Sequence, residues 1–132
     1  MPLRRQLGCE TKVVIGMVAQ LVPWKRHGDF LRAMAQVVQR HPETFFVIAG
    51  DEPDRRGAYG LELQTMVKEL GLAGYGTFLG FREDVAAVMS MLDLVVLTSE
   101  NEPFGRVLVE AMAAGKPVVA TEGGGVTEIV VD

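Results

Sequence analysis

Five short apolar runs, the first four each followed by a helical stretch, constrain this chain more than any other feature. The runs are "KVVIGMVAQ" (12–20), "TFFVIAG" (44–50), "GTFLGF" (76–81), "DLVVLTS" (93–99) and "KPVVAT" (116–121). They are short and apolar, as buried strands are, and the first is rich in β-branched residues. After the first run, Pro23 and Gly28 act as breakers. "DFLRAMAQVVQRH" then places apolar residues at 30, 31, 34, 37 and 38, with Asp29 as the expected N-cap. "LELQTMVKELG" (61–71) is amphipathic and stops at Gly71. "EDVAAVMSML" (83–92) and "FGRVLVEAMAAG" (104–115) supply two further helices. Apolar strands alternating with helices predict an α/β domain: a doubly wound parallel sheet covered on both faces. The last stretch, "GGGVTEIVVD", opens another unit, so the sheet is expected to be truncated on its C-terminal side.

Composition narrows the function. The chain has 132 residues, is 48% hydrophobic and 23% charged, and has room for a core, which argues for one globular domain over 1–132. Its net charge of −4 gives no reason to expect nucleic acid as a partner, because binders of that class carry a basic surplus. Cys9 stands alone, so neither a disulfide framework nor a zinc site can be built from cysteines. "MPLRRQLGCE" lacks the apolar run of a secretory signal, and no stretch approaches the roughly 20 apolar residues of a membrane span. A cytoplasmic location is expected, with the parent protein peripheral at a membrane as a variant. There is no internal repeat, low-complexity tract or linker.

Ligands of open α/β sheets bind beyond the carboxyl ends of the strands. That directs attention to the loops at 20–28, 50–60, 81–84, 99–105 and 121–126. Glu102 precedes Pro103 in an extended conformation, and Phe104-Gly105 leads into a helix whose first amides suit a phosphate. Gly105 lets a ligand approach the backbone. Glu110 follows within the same helix, beside Val109, Ala111 and Met112, and can reach back towards its mouth. Carboxylates accept hydrogen bonds from hydroxyl-rich ligands, so the set suits a sugar nucleotide. The plainer alternative makes Glu102 a solvated loop charge and Glu110 an exposed helix residue. Gly123-Gly124-Gly125 either clears space for a ligand or forms a simple turn. Glu128 could neutralise the start of the next helix. Lys25 either meets a diphosphate as a point charge or is an ordinary surface lysine. Arg26 and His27 share that ambiguity, and no partner marks His27 as a base. "GYGTFLG" (74–80) precedes a strand instead of following one, so it is a turn plus a strand and not a dinucleotide fingerprint.

Taken together, "LVPWKRHGDFLRAMAQV", "FFVIAGDEPDRRGAYGLELQTMVKELGL" and "TFLGFREDVAAVMSMLDLVVLTSENEPFGRVLVEAMAAGKPVVATEGGGVTEIV" resemble a known family. The chain is similar, from about Arg5 to Asp132, to the C-terminal, donor-binding domain of retaining GT-B glycosyltransferases of family 4 (glycosyl transferases group 1). The signature E-x7-E is Glu102 and Glu110. The resemblance implies a Rossmann-like half of a GT-B fold. It places Glu102 beside the transferred sugar and Lys25 on the donor diphosphate, the two catalytic positions. Glu110 would hold the ribose. Amides of Phe104, Gly105, Arg106 and Val107 would face sugar or phosphates, and the turn at Gly80, Phe81 and Arg82 would lie beside the base. Gly123 and Gly124 would keep the space open. Lysine and amides would also stabilise the charge left on the diphosphate when the anomeric bond breaks. Neither a metal nor any other cofactor is implied; the nucleoside-diphosphate sugar is a substrate.

One position departs from the family pattern. Gln20 stands where an arginine commonly meets the diphosphate, so either another cation such as Arg26 substitutes, or the donor is held differently, or activity is low. The resemblance also implies an N-terminal acceptor domain that these 132 residues do not carry. The isolated chain is therefore expected to bind nucleotide without transferring sugar. An open sheet edge or uncovered apolar face would then favour a homodimer. Two rival functions remain at this level: a stand-alone nucleotide-binding or structural module, and a GT-B-like epimerase or phosphorylase.

Overall fold

A computed structural model describes residues 2–54, 56–100, 102 and 105–122. A short helix α1 (Pro2–Leu7) precedes β1 (Val13–Val18), and a 3-10 turn (Pro23–Lys25) leads into α2 (His27–Arg40). Then follow β2 (Thr44–Ala49), α3 (Ala58–Glu69), β3 (Gly76–Gly80), α4 (Val85–Met91), β4 (Leu94–Leu97), α5 (Arg106–Ala113) and β5 (Val118–Ala120). All four strand pairings are parallel, in the order β3-β2-β1-β4-β5. All five expected strands are present. The order reverses between β1 and β4, and that reversal opens a crevice at the carboxyl ends.

Alternation along the strands divides the core. Ile15, Met17, Phe46 and Ile48 face α2 and α3, where Phe30, Leu31, Met34 and Leu63 pack against them. Val14, Val47, Ala49 and Val95 face the opposite layer, with Leu3 of α1, Val88, Met89 and Met91 of α4, and Ala111 of α5. Each fully buried side chain of this size contributes about 2 kcal/mol. The helices therefore owe their stability mainly to docking. Two glycines make room for neighbours: a Cβ on Gly16 would lie 2.5 Å from a Leu92 methyl, and one on Gly76 would enter the Phe46 ring.

Three local expectations are corrected. Asp29 does not cap α2. Arg26 precedes the helix with φ 56°, and Asp29 sits in the first turn. Gly28 lies inside α2 and breaks nothing. The 3-10 turn at Pro23 takes up the change of direction, so the helix starts earlier than the apolar spacing indicates. α5 begins at Arg106, not Phe104, because Gly105 takes φ 61° as its N-cap. That left-handed conformation is itself a reason for glycine there. α1 was not anticipated. The final element expected within 123–132, and the residues Gly123, Gly124, Gly125 and Glu128, lie outside the described residues, as does Phe104. Among the described residues no helix is long and apolar enough to cross a membrane.

Candidate functional site

The carboxyl ends of β1 and β2, the turn after β3, α4 and the start of α5 enclose a cavity of about 320 Å³. Main-chain bonds hold the strand ends level. Ala19 N–H donates to Ala49 O (2.9 Å), Gly50 N–H to Gly80 O (2.8 Å) and Leu21 N–H to Asp51 O (2.8 Å). Gly50 permits this closeness. Its φ is 146°, and a Cβ there would collide with the Ala19 carbonyl.

Lys25, Glu102, Glu110, Gln20, Phe81, Arg82, Arg106 and Val107 all line this one cavity. Of the described candidates, Gly105, which caps the helix, and Arg26 and His27 are not among these lining residues. Glu102 is neither solvated nor unpaired: its residue is 8% exposed, and Lys25 Nζ donates to its Oε2 at 2.7 Å. The two side chains are 15% and 9% exposed, so Lys25 is no ordinary surface lysine. The loop carrying Lys25 is strapped to the end of β4. Thr98 Oγ1 donates towards Lys25 O (2.8 Å) and Arg26 O (2.9 Å), and Glu100 N–H donates to Trp24 O (2.9 Å). Two residues 77 apart in sequence are thereby held as a fixed pair.

Glu110 is half-buried and faces the cavity. Of its neighbours, Val109 and Met112 are exposed and Ala111 is buried; α5 buries only Leu108 and Ala111 fully. The sheet covers one side of this eight-residue helix, and Glu110 sits at the boundary. Arg106 N–H and Val107 N–H belong to the first turn, where helix amides lack internal partners. Arg26 does not line the cavity; it pairs with Asp29 at 3.3 Å, with both side chains half exposed. Arg106 does line it, and sequence reasoning had assigned that residue only its amide.

At the far side Gly80 turns the chain with φ 70°, leaving Phe81 66% exposed. Arg82 donates twice to Asp84, Nε to Oδ1 at 2.7 Å and NH2 to Oδ2 at 2.6 Å. This fork holds Asp84 below the usual carboxylate range. Asp51 was missed as a lining residue, although it follows a strand-ending glycine. Glu52 was read as loop; its carboxylate accepts from Tyr59 N (2.8 Å) and Gly60 N (3.1 Å) and so caps α3.

His27 lies fully buried at the start of α2. Burial pushes its pKa down to about 4; the Ala19 carbonyl works against that shift and Lys25 adds to it. Its Nδ1 lies 3.4 Å from the Tyr59 hydroxyl. Nε2 has no partner among the described residues. A neutral, enclosed imidazole of this kind belongs to the support beneath the site.

The model of the family "Glycosyl transferases group 1" matches residues 2–132. The chain is 40% identical over 127 residues to D-inositol 3-phosphate glycosyltransferase of Corynebacterium jeikeium, covering 92% of this chain and 30% of that protein. The crystal structure of Anabaena HepE with UDP and glucose superposes with a TM-score of 0.93 at 42% identity, covering 99% of this chain and 35% of that one. The C-terminal domain of a group 1 glycosyl transferase (LpcC) from Francisella tularensis superposes at 0.86 with 30% identity, covering 97% and 67%. The chain spans about a third of the length of the full-length relatives it matches.

Proposed function

The chain belongs to the group 1 glycosyltransferases, and from that premise we propose that its cleft binds the nucleoside-diphosphate sugar donor of a retaining glycosyltransferase. One observation carries the reading. Lys25, Glu102, Glu110 and the start of α5 converge on a single cavity where the strand order reverses. A positive helix terminus and an ammonium suit a diphosphate, and flanking carboxylates suit hydroxyls.

The proposed roles, apart from the charge of Arg106, are those that the family resemblance implies for these residues. The diphosphate lies against Lys25 and the amides of Arg106 and Val107. Breaking the anomeric bond moves negative charge onto the diphosphate, and these fixed groups stabilise it. Arg106 supplies the charge that Gln20 does not. Glu102, paired with Lys25, lies beside the transferred sugar, and Glu110 holds the ribose hydroxyls. Phe81 and Arg82 border the base. The reading assigns no role to a metal. HepE was crystallised with UDP and with UDP-glucose, which favours UDP as the nucleotide here. The acceptor is assigned to the part of the parent protein outside these residues.

Calorimetric titration with UDP, GDP and ADP tests this. UDP is expected to bind, and Glu110→Ala to weaken it at least about tenfold, because hydrogen bonds to a charged group contribute about 1.5–3 kcal/mol. The variant's unchanged melting curve would show that its fold survives. A folded native chain that binds none of the three nucleotides would sink the reading.

A further inference from the structure

Trp24 is the chain's single tryptophan, and it is 43% exposed at the rim of the cleft. No core role accounts for it. Its main chain is fastened, since Trp24 O accepts from Glu100 N–H. The Lys25 ammonium lies 4.3 Å from the centroid of its ring and 2.7 Å from Glu102 Oε2.

We propose that Trp24 is a positioning residue for Lys25: its ring holds the ammonium at the cavity so that the cation is in place when a diphosphate enters. The inference rests on the donor-site reading above. A lysine side chain gives up considerable rotamer freedom when fixed. An indole face attracts the charge, and it consumes none of the acceptor atoms around it. One N–H goes to Glu102, and the remaining donors stay available to phosphate oxygens in the cavity that Lys25 lines. Trp24 itself is absent from that lining. It acts through Lys25 and does not touch the ligand.

The test separates a π face from mere bulk. Affinities of Trp24→Phe and Trp24→Leu are measured by calorimetry with whichever of UDP, GDP or ADP the native chain binds. Trp24→Phe keeps a ring and is expected to stay within about twofold of native. Trp24→Leu keeps apolar bulk without a ring face, and is expected to weaken binding about two- to fivefold. Because Trp24 is the sole tryptophan, its emission reports on the same place. It should change on nucleotide addition and saturate with the calorimetric curve, and it should shift in ligand-free Lys25→Met. Equal affinities of the Phe and Leu variants would overturn the proposal while leaving the donor site standing. So would emission indifferent both to saturating nucleotide and to Lys25→Met. A native chain that binds no nucleotide would overturn both.

Discussion

The two ends of the sheet each carry a partly buried ion pair, and the two are built differently. At the amino end Arg4 donates to Met91 O (2.9 Å), Lys12 O (3.1 Å) and Asp93 Oδ2 (2.8 Å). Asp93 Oδ2 also accepts from Val14 N–H at 2.8 Å. Arg4 and Asp93 there each bond the main chain as well as one another. At the carboxyl end Lys25 and Glu102 hold one another in the wall of a cavity that the start of α5 also lines. The buried His27 Nε2 and Ser99 Oγ have no partner among the described residues. An ion pair that also bonds the main chain on both sides fastens the fold. One that borders open volume keeps bonding capacity in reserve. Natural sites depart from complete internal satisfaction where function requires it.

If that contrast holds, the two ends should respond to acid in different windows. His27 has a folded pKa of about 4 against an ordinary 6.5. The unfolded chain therefore takes up the proton first as pH falls, so stability is lost between about 6.5 and 4. The loss approaches about 3 kcal/mol, the largest effect expected here. Asp93 behaves oppositely in origin. Burial pushes its pKa up, but the Val14 N–H and the Arg4 guanidinium outweigh that and leave it below the ordinary value of 3.8. Its contribution is present above that value and is lost only as pH falls further. Urea unfolding between pH 7 and 4.5 should show a steep loss in the native chain and a shallower one in His27→Gln. Parallel slopes would place the acid sensitivity elsewhere.

Arg4→Ala attacks the other end. It takes the Arg4 donors from two carbonyls and from the Asp93 carboxylate, which keeps Val14 N–H, and should cost about 2 kcal/mol in urea unfolding. Nucleotide affinity should stay unchanged, the reverse of what Glu110→Ala is expected to do. An Arg4→Ala chain that remains folded yet binds more weakly would mean that the two ends are coupled through the sheet.

Much of this contrast was visible in the sequence, and the missing part has a physical cause. The strands were legible because buried parallel strands need continuous apolar runs. The carboxyl-end loops followed from topology, which placed Lys25, Glu102 and Glu110 in one neighbourhood before any distance was known. What escaped were contacts between residues far apart in the chain. α1 spans six residues, too few for periodicity, and Arg4 anchors it to partners 87 and 89 residues away. The Glu52 cap reaches forward seven and eight residues, beyond the spacing of an ordinary N-cap. Asp29 had the residue type of a cap, but the backbone had already entered the helix at His27. Side-chain pairing was illegible for the same reason: sequence order does not say that Lys25 meets Glu102, 77 residues away.

Arg26 offers the smallest effect and the finest discrimination. Its φ of 56° makes it the only non-glycine with positive φ among the described residues. For a side chain with a Cβ that conformation costs roughly 1 kcal/mol, which glycine avoids. Its ion pair with Asp29 has both side chains about half exposed, so losing it costs little, and Asp29 keeps Arg32 at 3.0 Å. Arg26→Gly should therefore stabilise the chain by about 0.5–1 kcal/mol, a rise in Tm of about 3 °C. It should also leave nucleotide affinity intact if Arg106 is the cation that compensates for Gln20. Calorimetry on Arg26→Gly and Arg106→Ala separates the two assignments. Weaker binding in Arg106→Ala alone keeps the compensating charge inside the cavity. Weaker binding in Arg26→Gly would instead show that a residue outside the cavity lining swings in when the diphosphate arrives. The carboxyl end would then hold its reserve of charge in the αL turn as well as in the Lys25–Glu102 pair.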